Sequence, residues 1–124
     1  MIGIDIVEID GLRKRGKKYG KLFLDKIFTE QELLADGYDP NRLNYKRLAA
    51  FFAAKEAVMK ALGNGNVRWR DIEIKSNASM RPRVTLYGST RKLSDRLGIE
   101  DIQLSLSYSR KHAIAFAIAT RRRA

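Results

Sequence analysis

Two carboxylates and one ammonium stand where charge is costly to keep. Asp5 interrupts the run Ile2-Gly3-Ile4-Asp5-Ile6-Val7-Glu8-Ile9, while Glu56 and Lys60 fall one turn apart in a stretch rich in alanine and phenylalanine. Carboxylates persist in apolar surroundings when they are paired, hydrogen-bonded or ligating a cation. Oxygen-only ligation suits magnesium, which retains waters and takes further oxygens from substrate phosphates. Lys60 could reach such a phosphate or act in proton transfer. The spacing leaves a plainer alternative open, an Asp5–Lys60 or Glu56–Lys55 ion pair that only fixes the fold.

The elements that must position these groups follow from periodicity. Residues 2–9 read as a strand apolar enough to be covered on both faces. A basic stretch follows, then Leu22 to Ile27 with helical spacing. Thr29 and Glu32 form a capping-box pattern that starts a second short helix near Phe28, and Gly37 to Asn41 reads as a loop with Pro40 near the start of the next helix. Residues 41–62 predict a long helix. On a wheel of about 100° per residue, Leu48, Phe51, Phe52, Val58, Met59 and Leu62 gather on one side. Ala49, Ala50, Ala53, Ala57 and Ala61 line the other, so the middle is expected to be covered on both sides and Lys55, Glu56 and Lys60 to need partners. Gly63-Asn64-Gly65 ends the helix. Downstream, Ile72 with Ile74 and Val84 with Leu86 alternate as strands, and Ser89 or Thr90 is expected to cap a short helix that Gly98 stops. Ile102 to Tyr108 and Ala113 to Ala119 alternate on either side of Arg110-Lys111-His112, which predicts a hairpin. The expected architecture is α+β, an antiparallel sheet packed on a long central helix, in one domain over residues 1–124.

Composition narrows the classes of function. With no cysteine and one histidine, disulfides, thiolate chemistry and a multi-histidine metal site are excluded. The start lacks the basic-then-apolar pattern of a signal peptide, and no apolar run approaches the length of a membrane span, so a cytoplasmic location is expected. The net charge of +11 is concentrated: Arg13, Lys14, Arg15, Lys17, Lys18 and Lys21 lie among residues 11–21 without an acid, and Arg121, Arg122 and Arg123 stand near the end. Such a block suits a polyanion (nucleic acid, an anionic membrane or an acidic protein), or it simply solvates a face.

Gly3-Ile4-Asp5-Ile6-Val7-Glu8-Ile9, followed by Phe52-Ala53-Ala54-Lys55-Glu56-Ala57-Val58-Met59-Lys60-Ala61-Leu62-Gly63, closely resembles the holo-acyl-carrier-protein synthases, the short bacterial class of 4′-phosphopantetheinyl transferase. Further similarity lies in Ile27-Phe28-Thr29 with Glu32, in Trp69-Arg70-Asp71-Ile72-Glu73-Ile74, around Pro82, and in Leu104-Ser105-Leu106-Ser107. The resemblance spans nearly the whole chain in order. It implies the phosphopantetheinyl transferase fold and a magnesium-dependent enzyme of fatty acid biosynthesis. Such an enzyme moves the phosphopantetheine arm of coenzyme A onto a serine of an acyl carrier protein and releases adenosine 3′,5′-bisphosphate. By that resemblance Asp5 and Glu56 are the magnesium ligands and Lys60 assists at the reacting phosphate. It also implies that Gly63, Asn64, Gly65, Arg81, Pro82, Ser107 and Tyr108 lie beside the coenzyme. The resemblance further implies that the block Arg13, Lys14, Arg15, Lys17, Lys18 and Lys21 docks the acidic carrier, and that three copies form sites between neighbouring subunits.

Several positions depart from the family pattern. Gly11 and Phe51 replace arginines, Tyr108 replaces a histidine while His112 takes a tyrosine position, and the usual Gly-Lys-Pro turn is Met80-Arg81-Pro82. Carrier contact is accordingly expected to move to Arg13. Two other classes compete, a basic nucleic-acid-binding domain and an inactive, carrier-binding transferase homologue. The basic block has Tyr19 as its one aromatic, poor provision for base stacking, so nucleic acid is not expected as partner, and without a span-length apolar run neither is a membrane.

Overall fold

The computed structural model describes residues 1–35, 39, 42–63, 67–76 and 81–123. The expectations that fell on Gly37, Pro40, Asn41, Asn64, Gly65 and Met80 therefore lie outside the described residues. Strand β1 (Ile2–Glu8) runs directly into helix α1 (Ile9–Ile27), which carries the whole basic block. Helical order thus starts well before Leu22. Ile9, Leu12, Gly16, Leu24 and Ile27 form its buried stripe, and the lysines and arginines lie outside it. Gly16 is set by contact, since a Cβ there would fall 2.6 Å from the Tyr45 ring. Gly20, at φ 68°, kinks the helix in a conformation that glycine adopts without strain.

Helix α2 (Glu30–Leu34) begins with the expected capping box: Thr29 Oγ1 accepts from the Glu32 amide at 3.2 Å, and Glu32 Oε1 accepts from the Thr29 amide at 2.8 Å. The long helix α3 spans Tyr45–Ala61. It starts later than periodicity suggested because Asn44 supplies the cap, its side-chain oxygen accepting from the Arg47 amide at 3.1 Å. A 3₁₀ turn, Trp69–Asp71, leads into strand β2 (Ile72–Lys75), which pairs antiparallel with β3 (Arg83–Leu86). Helix α4 (Gly88–Arg96) follows. Neither Ser89 nor Thr90 caps it: Tyr87 is the N-cap residue without a side-chain bond, and Thr90 instead donates to Asp71 Oδ2 at 3.1 Å. Strands β4 (Ile99–Tyr108) and β5 (His112–Arg121) form the expected hairpin, and β5 is the centre of an antiparallel sheet ordered β1-β5-β4.

Helix α3 lies across β1 and β5. Alanine on both partners lets the backbones approach: Ala49, Ala50, Ala53 and Ala57 on the helix and Ala113, Ala115 and Ala117 on β5 are fully buried. The closest approach is at Gly3, where a Cβ would sit 1.8 Å from the Ala57 carbonyl oxygen. Any side chain at Gly3 would push β1 off the helix. The opposite face of the sheet differs from expectation, because within this chain it is uncovered. Ile2, Ile4 and Ile6 are 64%, 56% and 60% exposed, with Ile114 and Ile118 beside them on β5.

Candidate active site at the strand–helix crossing

Alternation along β1 turns Gly3, Asp5 and Val7 toward α3 and the isoleucines away. The glycine contact then sets Asp5 beside the last turns of α3. Lys60 Nζ donates to Asp5 Oδ1 and to the Ile4 carbonyl, both at 3.0 Å. This Asp5–Lys60 pair is at the surface, with the lysine side chain half exposed and the aspartate 18% exposed. Glu56, one turn earlier, lies on the same cavity, about 310 Å³ in volume, bordered by Asp5, Glu8, Arg15 and Phe52. Its Oε1 accepts from Trp69 Nε1 at 3.1 Å.

The two carboxylates share one property. Each has one oxygen held by a donor, and among the described residues the other oxygen, Asp5 Oδ2 or Glu56 Oε2, has no hydrogen bond or ion pair. Two open, hard oxygen donors on one cavity fit a small divalent cation such as magnesium. No group of three or more acidic, histidine or cysteine side chains forms a metal cluster among the described residues. A cation here would therefore complete its shell with water and ligand oxygens.

Lys55, adjacent to Glu56 in sequence, points elsewhere. It is fully buried and pairs with Glu32 at 2.7 Å, not with Glu56. It also donates to the carbonyls of Trp69 (3.0 Å) and Ile72 (2.6 Å). Glu32 in turn accepts from the amides of Thr29 and Ile74. Glu73 completes the network, accepting from Thr29 Oγ1 at 2.7 Å and from the Tyr87 hydroxyl at 3.1 Å. Burial raises the Glu32 pKa and lowers that of Lys55, each opposed by the attraction between them. The Tyr87 hydroxyl is raised by its bond to Glu73.

The remaining candidates are distributed. Arg15 borders the carboxylate cavity, whereas Arg13 pairs with Asp10 and sits 5.9 Å from the Tyr45 ring centre. Lys14, Lys17 and Lys18 are exposed on α1, and Lys21 pairs with Asp25 at 2.9 Å. Gly63 follows α3 with φ 89°. Arg81 and Pro82 border a different cavity, of about 990 Å³, with β4 and the outward side chains Phe116 and Ile118. Ser107 is exposed opposite Ile114, and Tyr108 lies under Lys46 near the start of α3. His112 sits in the hairpin opposite Glu8, its amide donating to Ser109 Oγ. One chain thus brings together Asp5, Glu56, Lys60 and Arg15, but not Arg81, Pro82, Ser107 or Tyr108. Sequence reasoning assigned no site role to Trp69 or Glu8; a lone tryptophan opening the similar Trp69–Ile74 stretch was the available signal for the former.

The backbone defines the class of protein first. It matches holo-[acyl-carrier-protein] synthase from Helicobacter pylori, solved in complex with coenzyme A, with a TM-score of 0.81 over 97% of this chain and 100% of that one, at 31% identity. The Plasmodium yoelii enzyme gives 0.85 over 98% and 94%, at 30% identity. Residues 1–117 match the family model described as the 4′-phosphopantetheinyl transferase superfamily. Among curated relatives, the holo-[acyl-carrier-protein] synthase of Chlamydia trachomatis serovar L2 is 46% identical over 95% of this chain and 97% of its own length. That of Halothermothrix orenii is 40% identical over 94% of each. The chain belongs to the 4′-phosphopantetheinyl transferase superfamily and, within it, to the holo-[acyl-carrier-protein] synthase class of enzymes.

Proposed function

We propose that this enzyme transfers 4′-phosphopantetheine from coenzyme A to a serine of an apo acyl carrier protein, with magnesium held by Asp5 Oδ2 and Glu56 Oε2, and releases adenosine 3′,5′-bisphosphate. The observation that carries the proposal is the pair of half-satisfied carboxylates on one cavity, with Arg15 at its border and Lys60 bonded to Asp5. When bound, magnesium would neutralise pyrophosphate charge and polarise the phosphorus under attack. The serine oxygen forms a bond to the β-phosphorus, the bond from that phosphorus to the bridging oxygen breaks, and the serine proton is released. Lys60 has three N–H donors, of which Asp5 and the Ile4 carbonyl take two. The third is available to a phosphate oxygen, where a fixed positive charge stabilises the charge that builds during transfer.

Helix α1 presents Lys14, Arg15, Lys17 and Lys18 from the element that begins at the metal-bearing strand. An acidic carrier attracted to it would bring its serine toward the cavity, and added salt would weaken that encounter. Arg15 borders the cavity, so the carrier contact that Gly11 cannot make falls to it rather than to the expected Arg13, whose guanidinium pairs with Asp10. The uncovered isoleucines support a trimer in which this face packs against neighbouring copies. A neighbour would also supply the coenzyme contacts that one chain leaves apart, Arg81, Pro82, Ser107 and Tyr108 among them. We place the enzyme in the cytoplasm as a single domain over residues 1–124; no described helix is long and apolar enough to cross a membrane.

The test is to incubate enzyme, coenzyme A, an apo carrier and magnesium, and to quantify the nucleotide released against the carrier modified. The proposal expects one adenosine 3′,5′-bisphosphate per modified carrier and none in excess chelator. Release without carrier modification would contradict it.

A further inference from the structure

Trp69 is the only tryptophan in the chain, and its ring edge is the donor that touches Glu56. Its backbone is fixed on several sides. Lys55 Nζ grips the carbonyls of Trp69 and Ile72, which bracket the 3₁₀ turn, from a fully buried position. Asp71 in the same turn accepts from Thr90 Oγ1 at 3.1 Å, and its carbonyl accepts from the Tyr87 amide at 2.8 Å. The indole ring meets Phe52 edge-to-face, with centroids 5.8 Å apart and planes at 90°. The turn that carries Trp69 is therefore held from the core, and its ring is held by Phe52, which also borders the cavity.

An indole N–H is a donor only, so it can hold a carboxylate oxygen and cannot itself ligate a cation. We infer that Trp69 is a positioning residue that reserves Glu56 Oε1, leaving Oε2 as the single oxygen for the metal. The inference rests on the metal site proposed above. Its consequence is selectivity. One-oxygen ligation suits the small octahedral shell of magnesium, whereas calcium gains from a carboxylate free to bind through both oxygens. Lys60 does the same for Asp5, but from a half-exposed side chain that can move. Trp69 is the rigid half of the arrangement.

The test reads metal binding rather than turnover. In ¹⁵N-labelled protein saturated with coenzyme A and lacking carrier, the single indole N–H signal is followed during magnesium addition, while Mn²⁺ uptake is measured separately by water-proton relaxation. The expected result is a saturable shift of the indole signal that disappears in Asp5→Asn. Trp69→Phe keeps the ring contact and removes the N–H. It is expected to weaken Mn²⁺ binding about 10-fold, the lower end for loss of a partner to a metal ligand, and to narrow the preference for magnesium over calcium. Metal uptake with an unmoved indole signal, or Trp69→Phe with unchanged affinity and selectivity, overturns the inference while the metal site stands. No uptake of either metal by the wild-type protein overturns the site itself, and the inference with it.

Discussion

Lys55 and Glu56 are neighbours on one helix and belong to opposite kinds of chemistry. Lys55 turns into the core, where Glu32, Glu73, Thr29, Tyr87 and two carbonyls share every charge and donor. No buried side-chain nitrogen or oxygen among the described residues lacks a partner. Glu56 turns the other way, to a cavity where it and Asp5 each keep an oxygen open. A saturated network specifies structure, while an unsaturated one is available to a ligand. The difference is made by about 100° of rotation per residue, and Trp69 is where the two networks meet, its carbonyl in one and its N–H in the other.

Substitution at either neighbour's network separates the two roles. Removing an open carboxylate should abolish chemistry and spare the fold. Asp5→Ala or Glu56→Ala is expected to lower transfer by about 10³-fold or more, since several kcal/mol of charge stabilisation depend on the metal. Circular dichroism and thermal melts should stay close to the wild-type values. The saturated end should behave the opposite way. Lys55→Met leaves Glu32 buried without its cation and is expected to cost about 3–5 kcal/mol in denaturant unfolding. A variant that melts normally would mean water reaches that network.

Intermediate effects test the groups around the cavity. Lys60→Ala is expected to reduce kcat by about 10²-fold, the size of one lost charged donor at a reacting oxygen. Ile4→Lys places a charge on the uncovered sheet face and should convert the proposed trimer to monomer in sedimentation. It should also weaken coenzyme A binding if neighbours supply Arg81 and Pro82. The smallest effect is expected from Lys14→Glu with Lys18→Glu, a rise in KM for carrier of about 10-fold at low salt that shrinks as salt increases.

Much of this was legible in the sequence, and the gaps have physical causes. The Thr29–Glu32 capping box, the β4–β5 hairpin and the two covered sides of α3 follow from local chemistry and periodicity, which act over a few residues. Asp5 and Glu56 were identifiable as costly acids, but their meeting depends on the Gly3–Ala57 approach across 54 positions of sequence. For Lys55 the sequence offers Glu56 as a possible partner, because neighbours in sequence are visible, whereas Glu32, its partner in the fold, is not. Helix α1 was only half seen, since three glycines at 11, 16 and 20 and a dense run of charge mask the stripe of Ile9, Leu12 and Leu24. Apolar content marked β1 as covered on both faces, yet composition does not say whether its own chain or a second copy provides the cover.

On the function proposed above, the open carboxylate pair is the metal site on which transfer depends. Its most direct test is the intact mass of an apo carrier after incubation with coenzyme A, magnesium and either wild-type enzyme or Glu56→Gln. One phosphopantetheine is expected on the carrier with wild type, and none with the variant or with wild type in excess chelator. Full modification in chelator, or by Glu56→Gln at the wild-type rate, would contradict it.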